Sequence, residues 1–289
     1  MPGPIDLHSH TNASDGTFTP AELVALAQRS GLAALAITDH DTFEGYEVAL
    51  PVARAAGLDL VRGIELNSRL FLDGFAQPRF AHVLVYFPSG ESSQAFQAWL
   101  DDQRADRRSR NERLAAALRE RGVDITLAEV EARGRTLTGR PHFARILVEK
   151  GYAANFDDAF RKYIGEQAPS YVERDSNTTE EVIGFAREAG GIPVIAHPIR
   201  IGLTRASEPG VLARLRNAGL AGLEVYHSEH SPPLQTYYRE LAAGLGLLPT
   251  GGSDFHGAAK PGVELGSGVR NNVHVPLEFL EGLRRGPLA

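Results

Sequence analysis

The residues best suited to chemistry in this chain are its histidines and the carboxylates near them. His8-Ser9-His10 sets two imidazoles at i and i+2, which project to the same side of an extended chain, so both can reach one ion. Asp15 follows in a Ser14-Asp15-Gly16 turn. Asp39-His40-Asp41, Glu65, His82, Ala196-His197-Pro198 and Ser253-Asp254-Phe255-His256 continue the series. The sequence has ten His and no Cys. That excludes a disulfide framework, a thiolate zinc site and a Cys nucleophile. A metal site here must be built from imidazole and carboxylate, a donor set that suits Mn, Fe or Zn better than Mg or Ca alone.

The elements that must carry these residues can be read from apolar patterning and caps. Residues 5–8 form a short apolar run that ends in polar residues at the first histidine. Thr19-Pro20-Ala21-Glu22 predicts a capping box with Pro at the first helical position, and Gly31 ends that helix. Strands are predicted at 32–38, 58–65 and 80–87, with a helix at 44–56 stopped by Gly57. The pattern changes near residue 91. A charged helical stretch runs over 91–122 with Phe96, Trp99, Leu100, Leu114 and Leu118 as sparse anchors, and shorter helices follow at 126–133, 140–150 and 155–164. Thr178-Thr179-Glu180-Glu181 is a second capping box, followed by strands at 192–196, 222–226 and 247–250 with helices at 209–218 and 232–244. A strand at 273–275 and a helix from Pro276 close the pattern. Strands alternating with helices predict an α/β fold with a parallel sheet or barrel. Nearly every His, Asp or Glu singled out above falls at the end of a strand, where barrel active sites are built. His82 is the exception, because it precedes the apolar run of its strand.

Charge and composition narrow the function classes. The formal net charge of −6 argues against coating nucleic acid in bulk. All but three of the 30 basic residues are Arg, and they crowd the helical stretch between 101 and 145. Arg binds phosphate bidentately, although a GC-rich codon bias accounts for the same excess. No apolar run approaches membrane-spanning length, and the N-terminus opens into a strand with no apolar signal region. The expectation is a soluble cytoplasmic protein with no membrane association and no obligate protein partner.

Taken together, His8-X-His10, Ser14-Asp15-Gly16, Thr38-Asp39-His40, Gly63-X-Glu65, Ala196-His197-Pro198 and Ser253-Asp254-X-His256 resemble the motifs of the PHP (polymerase and histidinol phosphatase) domain family. The resemblance spans nearly the whole chain outside the helical stretch. It implies a distorted (β/α)7 TIM-like barrel made of 1–90 and 176–289, with 91–175 inserted as a helical substrate cap. It also implies two to three divalent ions, Mn2+ first, with Fe2+ or Zn2+ as alternatives. One ion would take His8, His10, Glu65 and Asp254; a second Glu65, His82 and His197; a third Asp15, His40 and His256. Phosphate-ester cleavage by a metal-bridging hydroxide would follow, with Asp254, His197 and Arg200 as the expected catalytic set. Asp39 and Asp41 are candidates to orient the histidines, with a loop cap as the alternative for Asp41. No motif position is degenerate, which favours an active enzyme over a non-catalytic metal-binding regulatory module.

The helical stretch carries Gly139-Arg140-Pro141-His142. This resembles a PHP branch that includes nucleoside 3′,5′-bisphosphate phosphatases and a 5′→3′ exonuclease on short RNA. The expected reaction is removal of the 3′-phosphate from a nucleoside 3′,5′-bisphosphate such as 3′-phosphoadenosine 5′-phosphate, giving AMP. Short RNA is the first alternative substrate and histidinol phosphate the second. A C–N amidohydrolase on a similar barrel is disfavoured, because all three Lys lie outside the strand-end motifs. Asn12, Arg135, Arg140, His142, Arg200, Tyr226 and His227 are the candidate substrate contacts, and Phe143 or Tyr226 could stack a base.

Overall fold

The chain starts in strand β1 (Ile5–Asp6) and continues through helix α1 (Pro20–Arg29), strand β2 (Ala34–Ile37), helix α2 (Glu44–Ala56) and strand β3 (Asp59–Leu70). In this computed structural model residues 3–75, 77–133, 138–173 and 176–286 are described. The start of α1 has the expected local cause. The Thr19 hydroxyl accepts the Glu22 N–H, and the Glu22 carboxylate accepts the Thr19 N–H at 2.8 Å. This reciprocal cap satisfies donors that a helix start leaves open. Helix α2 ends at Gly57, whose φ of +67° is the left-handed conformation a C-terminal cap needs.

Strand β4 (Arg79–Tyr86) then pairs with β3 in antiparallel register, Glu65 opposite Leu84 and Asn67 opposite His82. The long helix α3 (Gln94–Arg119) follows, then α4 (Leu127–Glu131), α5 (Arg140–Glu149) and α6 (Phe156–Ala159), which runs into one π-turn over Phe160–Ile164. The chain returns to the sheet through α7 (Thr179–Glu188), whose Thr178–Glu181 capping box is present as expected. Strand β5 (Ile192–Ile195), a 3-10 turn at Pro198–Ile201, α8 (Glu208–Asn217), β6 (Gly222–Tyr226), α9 (Pro232–Leu245), β7 (Leu248–Gly251) and α10 (Leu277–Arg285) complete the order.

The seven strands form one sheet in sequence order. All neighbours are parallel except β3–β4 and β4–β5, so β4 alone runs against the rest. The expected α/β fold with seven strands is present. β3 extends beyond the predicted 58–65 because its outer half is paired with β4. The predicted strand at 273–275 is only a single bridge between Val275 and Ile5, since Pro276 has no N–H to extend a ladder.

Alternation along the strands separates two apolar faces. Leu35 and Ile37 pack under α1 and α2, and Ile64, Leu66, Val83, Val85, Leu223 and Val225 pack under α7, α8 and α9. The opposite face collects Ala34, Ala36, Val61, Leu84, Tyr86 and Val194 around α10. By the same alternation Glu65, His82 and Glu224 belong to this second face. The edge strands are tied together just past their ends. Leu7 N–H donates to Gly251 O at 3.1 Å, Asp254 N–H to His8 O at 2.9 Å, and His10 N–H to Phe255 O at 2.9 Å. This approach requires Gly252, where a Cβ would stand 2.3 Å from the His8 nitrogen.

The helices after β4 bury their own apolar cluster, including Leu114, Leu118, Phe143, Ile146, Leu147 and Ile164. Helix α3 bridges the two regions. Its Phe96 and Leu100 belong to the sheet cluster and its Leu114 and Leu118 to the helical one, which explains the sparse anchors in sequence. Between these anchors α3 buries Arg107, Arg110 and Asn111. Arg107 pairs with Asp41, and Asn111 donates to Thr138 O at 2.9 Å. No helix among the described residues is long and apolar enough to cross a membrane.

Candidate metal centre

Glu65 is the centre around which the imidazoles gather. It is buried at the strand end, with His82 Nδ1 and His197 Nε2 at 2.8 and 2.9 Å from Oε1. His10 Nε2, His8 Nε2 and His40 Nδ1 lie 3.1, 3.3 and 3.4 Å from Oε2. The reversed direction of β4 explains His82. At the start of an antiparallel strand it reaches the same end of the sheet that its neighbours reach at their finish. Asp254 adds Oδ1 at 3.4 Å from His8 Nε2 and 3.5 Å from His10 Nε2. Asp15 faces His256 Nε2 at 3.2 Å and His40 Nε2 at 3.8 Å. The turns that deliver these groups are strained. Asp41, His197 and Asp254 have φ values of +50°, +26° and +56°, a region that non-glycine residues occupy only when the surroundings hold them there.

Among the described residues, three groups of ligand-type atoms lie within 4.8 Å of one another: His8, His10, Glu65 and Asp254; His10, Asp15, His40 and His256; and His40, Glu65 and His82. The first set is the one expected. The other two differ in detail. His40 sits between Glu65 and Asp15, and His10 stacks on His256 at 4.1 Å, so these two rings are shared. His197 meets His82 at Glu65 Oε1.

Hydrogen bonds fix which ring nitrogens face inward. His8 Nδ1 donates to Glu224 Oε1 at 2.8 Å, and His256 Nδ1 donates to the Asp254 carbonyl at 2.9 Å. Their Nε2 atoms are left facing carboxylate oxygens. Lone pairs opposed at that range repel unless a proton or a cation lies between them. His10 Nε2 and His40 Nδ1 are likewise buried with no hydrogen-bond partner. An orphaned buried nitrogen is costly, and its usual explanation is an ion or a water. The donor set therefore fits divalent ions.

The electrostatics agree. Burial works against ionising Glu65, but the imidazoles of His40, His82 and His8 and the His10 contact outweigh it and hold the acid well below its usual range. Asp15 and Asp254 are held low in the same way, by His256 and His40 and by Lys260 and His8 respectively, against their own burial. Burial lowers His40 to about 4 and His197 to about 3, so both rings stay neutral. His8 goes the other way. Its burial is outweighed by Glu224, Asp254 and Glu65, which raise it well above the ordinary value.

These groups open into a cavity of about 400 Å³. Arg200 and Lys260 stand beside Asp254, with Arg200 Nη1 3.2 Å from Oδ2 and Lys260 Nζ paired to the same oxygen. On the helical side, Arg107, Arg110, Arg140 and His142 line the wall. His142 Nδ1 accepts the Gly139 N–H at 3.1 Å, which leaves Nε2 to carry the proton. Arg140 lies over the rings of Phe160 and Tyr171 at 5.9 and 5.6 Å from their centres.

Several expected contacts fall elsewhere. Asn12 does not line the cavity; its loop is closed by its own N–H on Phe18 O. Tyr226 packs on Phe279 at 5.8 Å and does not line the cavity. Phe143 is in the helical core. His227 is fully buried behind Asp254, donating to Oδ2 at 3.1 Å, and cannot meet a substrate. Arg135 lies outside the described residues. Asp39 orients no histidine ring directly. It accepts from Thr11 and Ser14 and so shapes the loop between His10 and Asp15, while Asp41 pairs with Arg107. The orienting role belongs to Glu224, which also accepts the His197 N–H. A Glu inside the buried run Gly222–Tyr226 was the available signal. Lys260 was discounted because it lies beyond the last strand-end motif, yet its side chain reaches back to Asp254.

The PHP domain model matches residues 6–165 of this chain. A 3′,5′-nucleoside bisphosphate phosphatase from Chromobacterium violaceum is 31% identical over 266 residues, 91% of this chain and 90% of that protein. The 5′-3′ exoribonuclease Rnm of Escherichia coli is 33% identical over 270 residues, covering 90% of this chain and 87% of its own. A structure described as a metal-dependent phosphoesterase from Bifidobacterium adolescentis superposes with a TM-score of 0.81 at 32% identity, covering 98% and 96% of the two chains. An amidohydrolase from Chromobacterium violaceum, solved with bound sulfate and no metal, gives 0.81 at 29% identity with 96% of each chain covered.

Proposed function

The chain belongs to the PHP domain family, and from that premise we propose that it is a metal-dependent phosphomonoesterase that removes the 3′-phosphate of nucleoside 3′,5′-bisphosphates. The observation that carries the reading is a cavity with two poles suited to phosphate, one lined by arginines and the other made cationic by the ions its residues would hold. One pole is the imidazole–carboxylate cluster with Arg200 and Lys260. The other is the helical wall of Arg107, Arg110, Arg140 and His142. A substrate with two phosphates can engage both poles, whereas a simple monoester leaves one of them without a partner. The segment 91–175 thereby acts as a substrate cap on a metal-binding body formed by 1–90 and 176–289.

His8, His10, Glu65 and Asp254 would hold one divalent ion, Asp15, His40 and His256 a second, and Glu65, His82 and His197 a third. Mn2+ is the first candidate, with Fe2+ or Zn2+ as alternatives. Ions in such a site supply Lewis acidity, which generates a nucleophile near neutral pH and neutralises charge on the phosphoryl oxygens. The chain's own residues do the rest. Arg200 and Lys260 offer donors to the phosphoryl group beside Asp254, where charge builds in the transition state. Glu224 holds His8 in the tautomer that turns Nε2 inward, and its second oxygen pins the strained His197 backbone. At the other pole, Arg140 stands in the first turn of α5, where the helix dipole adds to its charge, and the His142 Nε2–H donates to the second phosphate.

A 5′→3′ exonuclease on short RNA is the second reading. It is favoured by the Rnm relatives and by Phe160 and Tyr171 in the cavity wall, which could stack a base. The test is a substrate panel with Mn2+: a nucleoside 3′,5′-bisphosphate, its 3′-monophosphate, a short 5′-phosphorylated oligonucleotide and histidinol phosphate. The first should give the highest kcat/KM. A higher value for the oligonucleotide selects the second reading, and equal use of bisphosphate and 3′-monophosphate removes the two-pole argument.

A further inference from the structure

The turn that follows β6, His227-Ser228-Glu229, touches the metal-side pole at three points without lining the cavity itself. The His227 Nδ1 accepts the Glu229 N–H at 3.1 Å. That bond fixes the tautomer, so Nε2 carries the proton and donates to Asp254 Oδ2 at 3.1 Å. Ser228 Oγ donates to the Ser253 carbonyl, next to Asp254. The Glu229 carboxylate accepts from Arg200 Nε at 3.0 Å and also from Nη2, leaving Nη1 to reach Asp254 Oδ2 at 3.2 Å. The turn is itself held. His230 N–H closes it on His227 O at 2.9 Å, and Asn272 Nδ2 donates to Ser228 O at 2.8 Å.

We propose that His227 and Glu229 are positioning residues that set the acid of the metal site and the arginine of the phosphate site in one fixed register. His227 occupies Asp254 Oδ2, so that Oδ1 alone faces His8, His10 and His256. Glu229 grips one edge of the Arg200 guanidinium and holds it short of a full two-point pairing with Asp254. Removing Glu229 frees Arg200 to close on that carboxylate, which would occupy the donors a phosphate needs. Removing His227 leaves Asp254 Oδ2 held by Arg200 and Lys260 alone, which draws the carboxylate toward those cations and loosens the metal. The two residues therefore have separable effects, although only one residue stands between them.

The proposal rests on reading Asp254 as a metal-holding group and Arg200 as a phosphate donor. Its test is built on binding, so it does not depend on turnover. Metal-stripped wild type, His227→Ala, His227→Gln, Glu229→Ala and Glu229→Gln are titrated with Mn2+, and the loaded proteins with inorganic phosphate. Circular dichroism melts check folding. His227→Ala should weaken Mn2+ by about 10–100-fold, the range typical of lost outer partners. His227→Gln, whose amide can still donate to Oδ2, should recover most of that loss. Glu229→Ala and Glu229→Gln should weaken phosphate, with a smaller loss of Mn2+ affinity than His227→Ala shows. Equal Mn2+ affinity in His227→Ala and wild type overturns the first half, as does a Gln variant no better than Ala. Unchanged phosphate affinity in both Glu229 variants overturns the second. If His227→Ala does not fold, the Gln variant and the Glu229 pair still decide the matter: Gln must bind Mn2+ close to wild type. Absence of any phosphatase turnover in wild type would instead count against the proposed function and leave these titrations informative.

Discussion

The strand ends and the helical segment supply the two walls of one cavity, but they are built by different means. At the strand ends, polar groups are buried together and fixed by hydrogen bonds to other buried groups. His8 is held by Glu224, His256 by a backbone carbonyl and Asp254 by His227. The helical wall instead relies mainly on arginines, with one neutral imidazole. Arg107 and Arg110 come from the middle of α3, and Arg140 and His142 from the first turn of α5. The first arrangement tolerates little displacement, since five imidazole nitrogens lie within 3.4 Å of one buried carboxylate. The second can adapt to a ligand. Under the proposed function, the difference would give chemistry to the strand ends and substrate choice to the helices.

Variants of the two walls should therefore fail in different ways. The largest effect belongs to Glu65→Gln, because five imidazole nitrogens converge on that carboxylate. Elemental analysis should show lost metal, and kcat should fall by more than the roughly 100-fold that a lost outer partner can cost, for every phosphate ester alike. Loss on one substrate only would contradict the division of labour. Next is Arg140→Ala. A charged hydrogen bond contributes about 1.5–3 kcal/mol, so KM for a 3′,5′-bisphosphate should rise about 10–100-fold. KM for the matching 3′-monophosphate should hardly change, and kcat should be nearly preserved for both. Equal penalties on both substrates would remove the second pole.

Asp41→Asn tests the joint between the walls. It leaves Arg107 buried without its carboxylate, and breaking such a pair costs about 3–5 kcal/mol when fully buried. A lowered Tm and a modestly raised KM for the bisphosphate are expected, with metal content unchanged. The smallest effect is Arg108→Ala. Its ion pairs with Glu112 and Glu131 are exposed, and such pairs are worth about 0–1 kcal/mol. Tm and kinetics should match wild type, which makes this variant the control for charge loss on the helical segment.

The strand-end wall could be read from sequence because strands place their last residues at one rim. A His, Asp or Glu after an apolar run is thus located by the run itself. Even His82, which broke that pattern, follows from one reversed strand. Glu224 escaped notice because it lies within an apolar run, and in a single sequence a buried acid there looks like any other strand residue. The helical wall was less accessible. Arg140 and His142 were found through the Gly139-Arg140-Pro141-His142 segment. Arg107 and Arg110 look like the other arginines of a charged helix, and only the packing of α3 between two apolar clusters shows which of them turn inward. Tyr226 and His227 were misjudged for a related reason. Position at or just past a strand end does not specify whether a side chain reaches the cavity or packs against a neighbouring element. Tyr226 packs on Phe279, and His227 supports Asp254 from behind.

The account's central claim is that an imidazole–carboxylate metal centre hydrolyses the 3′-phosphate of a substrate held at its far end by the helical wall. The most direct measurement is phosphorus NMR of a nucleoside 3′,5′-bisphosphate incubated with metal-stripped protein before and after addition of Mn2+. The account predicts no change before the metal and, after it, inorganic phosphate together with the nucleoside 5′-monophosphate. Accumulation of the 3′-monophosphate, or full turnover by the metal-stripped protein, would contradict it.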